Sequence, residues 1–214
     1  MVLLSTIQSI YITFAIIGGV VVTILLFVLI YKNFLKEKFI KWIVGTKLYR
    51  TANLNDYLLL NNYKINIDDN NIGVIDHILI TNKYIVVIHD FSISGVISPS
   101  NSEDTIKVTN KNGDRLIANP LNYNRNLAKR LALYHNLDNT FIKGLVVVND
   151  YSLLNDINKS EQFRFVRLKE LKRTISEFEK GDVKPFKEDA IVSFINYLYE
   201  HQAKKGARKW NIAN

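Results

Sequence analysis

Two apolar, β-branched runs, "GVIDHILI" and "YIVVIHDF", carry an Asp-His pair at Asp76-His77 and a His-Asp pair at His89-Asp90. Thr81-Asn82-Lys83 joins them, a length that fits a β-hairpin. Side chains alternate between faces along a strand. With the turn centred near Asn82, position 76 pairs with 88, give or take one residue. That register brings His89 within about 5–7 Å of Asp76 and sends His77 and Asp90 to the other face. A carboxylate beside an imidazole can hold a metal ion, a transition metal rather than magnesium. It can equally form a hydrogen-bonded pair without metal, and that is the preferred reading of Asp76 and His89. The other histidines, His135 and His201, are too scattered to suggest a zinc cage, and the absence of cysteine excludes thiolate sites and disulfides.

The surrounding pattern predicts what holds this hairpin. Residues 45–53 read as a polar connector, and Leu54, Tyr57, Leu58 and Leu60 as a short amphipathic helix. "YKINI" alternates as a strand and "DDNN" is a turn. After the hairpin, "TIKV" and "RLIA" flank an Asn112-Gly113 turn signal. Asn119-Pro120 opens a helix with Leu127, Leu131 and Tyr134 on one face and Arg125, Lys129 and Arg130 on another. "IKGLVVV" reads as a central strand, "FRFVRL" as an edge strand, and residues 168–179 and 186–203 as helices. The order is that of an α/β domain, without internal repeats. No P-loop and no Gly-rich dinucleotide turn is present.

The chain has 214 residues and a formal net charge of +8. The charge is unevenly placed. Residues 32–50 hold six basic residues against one acidic, +5; residues 201–214 hold four basic and no acidic, +4; residues 51–200 hold 18 basic against 19 acidic, −1. The basic excess belongs to the ends, so strong long-range attraction of the core to nucleic acid is not expected. From residue 10 to residue 31 there is no charge. As a helix this run is about 33 Å long, enough for a hydrocarbon core of about 30 Å. The lysines follow it and none precedes it, which predicts the N-terminus outside and the rest in the cytoplasm. Tyr11 and Tyr31 fall near the two interfaces. Lys32, Lys36, Lys38, Lys41 and Trp42 suit either a segment lying on anionic headgroups or a topology signal alone. Richness in Asn, Ile and Lys fits AT-rich, bacterial coding.

The element order, together with "IDHILIT" at 75–81, Ser94-Gly95-Val96-Ile97, Asn119-Pro120-Leu121 and the basic helix that follows, resembles the NERD (nuclease-related domain) family. The resemblance spans roughly residues 45–150. It implies a restriction-endonuclease-like, PD-(D/E)xK core of order αβββαβ, here preceded by a transmembrane helix and followed by C-terminal helices. Active relatives carry Glu-x-Lys at the end of the second hairpin strand. Two carboxylates there hold a hard divalent cation, and the Lys assists the chemistry. At those positions this chain has His89-Asp90-Phe91, so of the motif only Asp76 stands. The family's helical Glu is missing, since no acidic residue lies between Glu37 and Asp56. The family's Gln after Asn-Pro is Tyr123, with Asn124 beside it. Lys83 or Lys107 could stand in for the lost Lys.

These readings divide the chain into an anchor (1–31), a basic juxtamembrane segment (32–50), a NERD-like core (51–150), a C-terminal strand and helices (151–203) and a basic tail (204–214). The expected function is a single-pass cell-membrane protein with a catalytically degenerate cytoplasmic domain, a pseudoenzyme. It would bind a protein partner, or more weakly nucleic acid through Asn124, Arg125, Lys129 and Arg130, with no small-molecule cofactor. The alternatives are a divalent-metal-dependent nuclease with a rebuilt Asp76/His89 site, and a structural subunit of a membrane assembly.

Overall fold

The computed structural model describes residues 2–66, 72–135, 137–158 and 160–201, with side chains for all of these except 2–15, 29–38, 188 and 201. The chain forms two compact units, residues 1–39 and 40–214.

The first unit is helical, part of α1 (Val2–Asn55). Its large apolar side chains between Ile16 and Val28 are each at least half exposed. The Thr23 hydroxyl donates to the Gly19 carbonyl one turn back, 2.8 Å away, which leaves no unpaired hydroxyl on that surface. Judged on the described residues, no helix is long and apolar enough to cross a membrane. The expected span, 10–31, has described side chains only over 16–28. Its two ends with Tyr11 and Tyr31 lie outside the described residues, as do the side chains of Lys32, Lys36 and Lys38 and everything after residue 201.

In the second unit α1 runs on from Ile40 to Asn55, which corrects both the polar connector at 45–53 and the separate helix after it. The reason is a stripe four residues apart. Val44 and Leu48 are wholly buried and Ala52 is nearly so, in a stretch whose other residues are polar enough to hide it. Asp56, at φ +53°, ends the helix, and the chain enters β1 (Leu58–Asn66) two residues later.

A meander follows: β1, β2 (Ile72–Ile80) and β3 (Ile85–Phe91), all antiparallel. The chain then leaves for a second sheet. That sheet holds β4 (Val96–Pro99), β5 (Thr105–Asn110) and β6 (Gly113–Ala118). The β5–β6 turn is closed at Asn110–Gly113, with Gly113 at φ +102°, a conformation that side chains disfavour. Helix α2 (Pro120–Tyr134) starts where expected, because the Asn119 side chain accepts from the Leu121 amide at 3.0 Å and Pro120 needs no donor. Strand β7 (Ile142–Val148) returns parallel to β3. Strand β8 (Leu153–Leu154) joins the second sheet, β9 (Phe163–Arg167) forms the parallel edge of the first, and α3 (Leu171–Glu179) and α4 (Glu188–His201) close the chain. The large sheet is therefore β1-β2-β3-β7-β9 and the small one β6-β5-β4-β8.

Both faces of the large sheet are covered, which explains why β2, β3 and β7 read as nearly continuous apolar runs. Ile78, Val87 and Val146 pack toward Leu127 and Leu131 of α2 and Phe194 of α4. Leu79, Val86, Ile88 and Val147 pack toward Val44 and Leu48 of α1 and Ile175 of α3. The result is a mixed α/β domain whose central hairpin is clamped between α1 and α2.

Candidate functional site

The observed β2–β3 register pairs His77 with Ile88, one residue from the expected centre and within its stated allowance. The ladder stops there because a side chain takes over. Asp76 Oδ2 accepts from the Asp90 amide at 3.0 Å, so the carboxylate supplies the acceptor that a strand carbonyl would have supplied.

Two Asp–His pairs result. Asp76 Oδ2 lies 2.7 Å from His89 Nδ1. Nδ1 is buried, so the two groups face each other away from solvent. On the other face His77 Nε2 lies 2.9 Å from Asp90 Oδ2, and His77 Nδ1 lies 2.5 Å from Asn61 Oδ1 on β1. His77 thus bridges Asn61 on β1 and Asp90 on β3 through its two ring nitrogens. Asp90 Oδ1 is buried and has no partner among the described residues.

A third contact was not visible in the sequence. Lys41, read there as a headgroup contact or a topology signal, donates to Asp76 Oδ1 from α1 at 3.3 Å. Lys83 and Lys107, the expected stand-ins, are elsewhere. Lys83 donates to the Gly181 carbonyl, and Lys107 pairs with Asp114 on β6. Lys41 precedes the Val44–Leu48–Ala52 stripe by about one turn, so helical phase was the available signal. Its partner, 35 residues away in sequence, had none.

The electrostatics differ sharply between the two carboxylates. Burial pushes Asp76 up, but the His89 contact, the Asp90 amide and the Lys41 ammonium together outweigh it, and its pKa falls to about 2. Asp90 is raised: burial dominates, only partly offset by His77, and Asp76 pushes in the same direction. Around the pair, the Tyr123 ring sits edge-on to His89 with centroids 5.5 Å apart. Its hydroxyl reaches the Val74 backbone at 3.3–3.4 Å. The Phe91 ring lies 6.3 Å from His89. On the α1 side a cleft of about 450 Å³ opens over Lys41, Trp42, Tyr49, Asn61, Asp76 and Asp90.

This set does not suit a hard divalent cation. Of its two carboxylates, Asp76 has both oxygens engaged, one of them by an ammonium that would repel a metal, and Asp90 has a raised pKa, which disfavours the ionised form a metal needs. Among the described residues no three Asp, Glu, His or Cys side chains converge as ligands. Apart from Tyr123, the basic helix does not bring its expected residues to this site. Asn124 is wholly buried and donates to the Val87 and Leu145 carbonyls at 3.1 and 2.9 Å. It ties β3 to β7, and its expected contact with nucleic acid is corrected accordingly. Its neighbour Gly144 is required there, since a Cβ would meet Phe163 at 2.2 Å and Asn124 Oδ1 at 2.6 Å. Arg125 and Lys129 line a separate cavity near the beginnings of β7 and β9. Trp42 is 65% exposed on α1.

The structure is a mixed α/β sheet with a buried Asp–His cluster at the end of its central hairpin, followed by a helix over the parallel strands. The chain belongs to the nuclease-related domain (NERD) family, whose model matches residues 36–149, just over half of the chain. That match begins within α1, ahead of the region from which the resemblance was read. No curated protein and no solved structure matches the chain.

Proposed function

We propose that this chain is a membrane-anchored, cytoplasmic NERD protein that does not cleave phosphodiester bonds and instead recognises a partner, protein or nucleic acid, near the membrane. The carrying observation is the state of Asp76. Its two oxygens are held by Lys41, His89 and the Asp90 amide, so the one surviving acidic group of the motif serves the fold. Phe91 in place of Lys supports the same reading, because it brings neither charge nor proton to the site, and the Tyr123 hydroxyl is engaged by the Val74 backbone. The restriction-endonuclease-like core thus acts as scaffold, and the domain uses no metal cofactor.

The anchor reading rests on the uncharged run from 10 to 31 and on the half-exposed apolar side chains of 16–28. The basic residues that follow set the N-terminus outside. The test of the central reading is cleavage. Full-length protein in a mild detergent, with Mg²⁺ or Mn²⁺, leaves single- and double-stranded DNA and RNA intact. Cleavage that disappears in Asp76→Ala would overturn the proposal.

A further inference from the structure

A cavity of about 300 Å³ lies beside α2, lined by Arg125, Lys129, Asn139, Ser160, Gln162 and Phe163 among others. It sits at the far end of the sheet from the Asp–His cluster. Ile142, on its wall, pairs with Ile85 at the start of β3, whereas His89 pairs with Val146. We propose that this cavity is a binding site for the phosphate group of a nucleotide-sized ligand. The proposal goes beyond the recognition reading above and stands independently of it.

Charge is the first argument. Helix α2 contains three cations and no acidic residue. Arg125 and Lys129 are one turn apart, a like-charge spacing that costs a helix a few tenths of a kcal/mol unless something offsets it. Among the described residues, no acidic side chain lines the cavity. Glu161, next to two lining residues, acts on Lys143, and Asp138 caps the Thr140 amide. Lys129 is exposed and makes no hydrogen bond or ion pair among the described residues.

Donor geometry is the second. The Arg125 guanidinium carbon stands 5.7 Å from the centre of the Phe163 ring. Its hydrogen bond to Asn122 Oδ1 is long, at 3.5 Å. This cation–π contact holds the guanidinium beside the cavity and leaves N–H groups for an oxyanion, for which the guanidinium fork suits phosphate. The Ser160 oxygen accepts from the Gln162 and Phe163 amides at 3.1 and 3.4 Å, so its own proton is left to donate. Gln162 Nε2 is held by the Asn139 and Ile142 carbonyls, which makes this wall rigid before any ligand arrives. Phe163, Ile142 and Ala128 supply apolar surface beside the donors. The volume is at the small end of ligand sites, about 300–1,000 Å³, the size of a mononucleotide.

The test is calorimetric titration of the full-length chain in non-ionic detergent with inorganic phosphate, AMP, adenosine, and a short oligonucleotide with and without a 5′-phosphate. We expect saturable binding of AMP, weaker binding of phosphate, and none of adenosine. Arg125→Ala and Lys129→Ala each weaken AMP binding at least about tenfold, and Lys111→Ala, on the β5–β6 turn, changes it less than about twofold. Lys129 is a surface side chain, so its variant keeps the parent's melting temperature and reads binding alone. No saturable binding of any phosphate-bearing probe, or AMP binding unaffected by Lys129→Ala, would overturn the proposal. Equal binding of both oligonucleotides with no binding of AMP would also overturn it, since that outcome assigns the cations to a nucleic-acid backbone. Cleavage activity would sink the proposed function and leave this site standing; loss of phosphate binding does the reverse.

Discussion

Asp76 and Asp90 are adjacent carboxylates with opposite roles, and their signs make a paired prediction. The folded-state pKa of Asp76, about 2, lies below its ordinary value of 3.8. Its contribution to stability is therefore complete above about pH 4 and is lost as pH falls toward 2, with a size of about 2 kcal/mol. Asp76→Asn should lose about that much at pH 7 by urea denaturation, with the gap to the parent closing between about pH 4 and pH 2. Asp90 has a raised pKa. The fold holds its proton where the unfolded chain has released it, so its ionisation counts against the fold as pH rises above the usual carboxylate value. Asp90→Asn should match or exceed the parent's stability at pH 7. A loss equal to that of Asp76→Asn would mean that the His77–Asp90 pair exists as a net-stabilising ion pair. At this scale the sequence was partly legible. Period-two alternation found which residues share a face. The contact from Lys41 was not legible, because nothing local links it to a strand 35 residues away. Asn124 was legible but misread: counting back three from Leu127 and seven from Leu131 places it on the buried face of α2.

Among the elements, α1 has the largest consequence. A chain beginning at residue 51 would lack Val44 and Leu48, whose burial stabilises by about 1.5–3 kcal/mol each. It would also lack Lys41. That sum is a large part of an ordinary domain's 5–15 kcal/mol. A chain beginning at residue 40 should melt cooperatively, and one beginning at 51 should not, as thermal circular dichroism would record; equal melting of the two would contradict the placement of α1. The central strands and the start of α2 were readable because β-branched runs and the Asn-Pro cap are local signals. The helical run from 44 to 55 was not, since only Val44, Leu48 and Ala52 carry it in a polar stretch and their partners come from β2, β3 and β7. The second sheet was half legible. The β5–β6 turn announced itself, but the pairing of β4 with β8 joins residues more than fifty apart.

For the whole molecule, the charge distribution and the fold make separate claims. A reporter fused after Asn214 should be active only in the cytoplasm, and labelling of that fusion from outside intact cells would defeat the orientation. The claim on which the functional account turns is that Asp76 is bound to its own chain and so is not a metal ligand. Mn²⁺ tests this most directly, because its electron paramagnetic resonance signal separates free from bound ion. Titrated with Mn²⁺ at neutral pH, the full-length protein should show no bound fraction that Asp76→Asn removes, whereas Lys41→Ala, by freeing one oxygen and removing the opposing charge, should raise Mn²⁺ affinity. Bound Mn²⁺ in the parent protein that is lost in both Asp76→Asn and His89→Ala would contradict the account and return the site to metal chemistry.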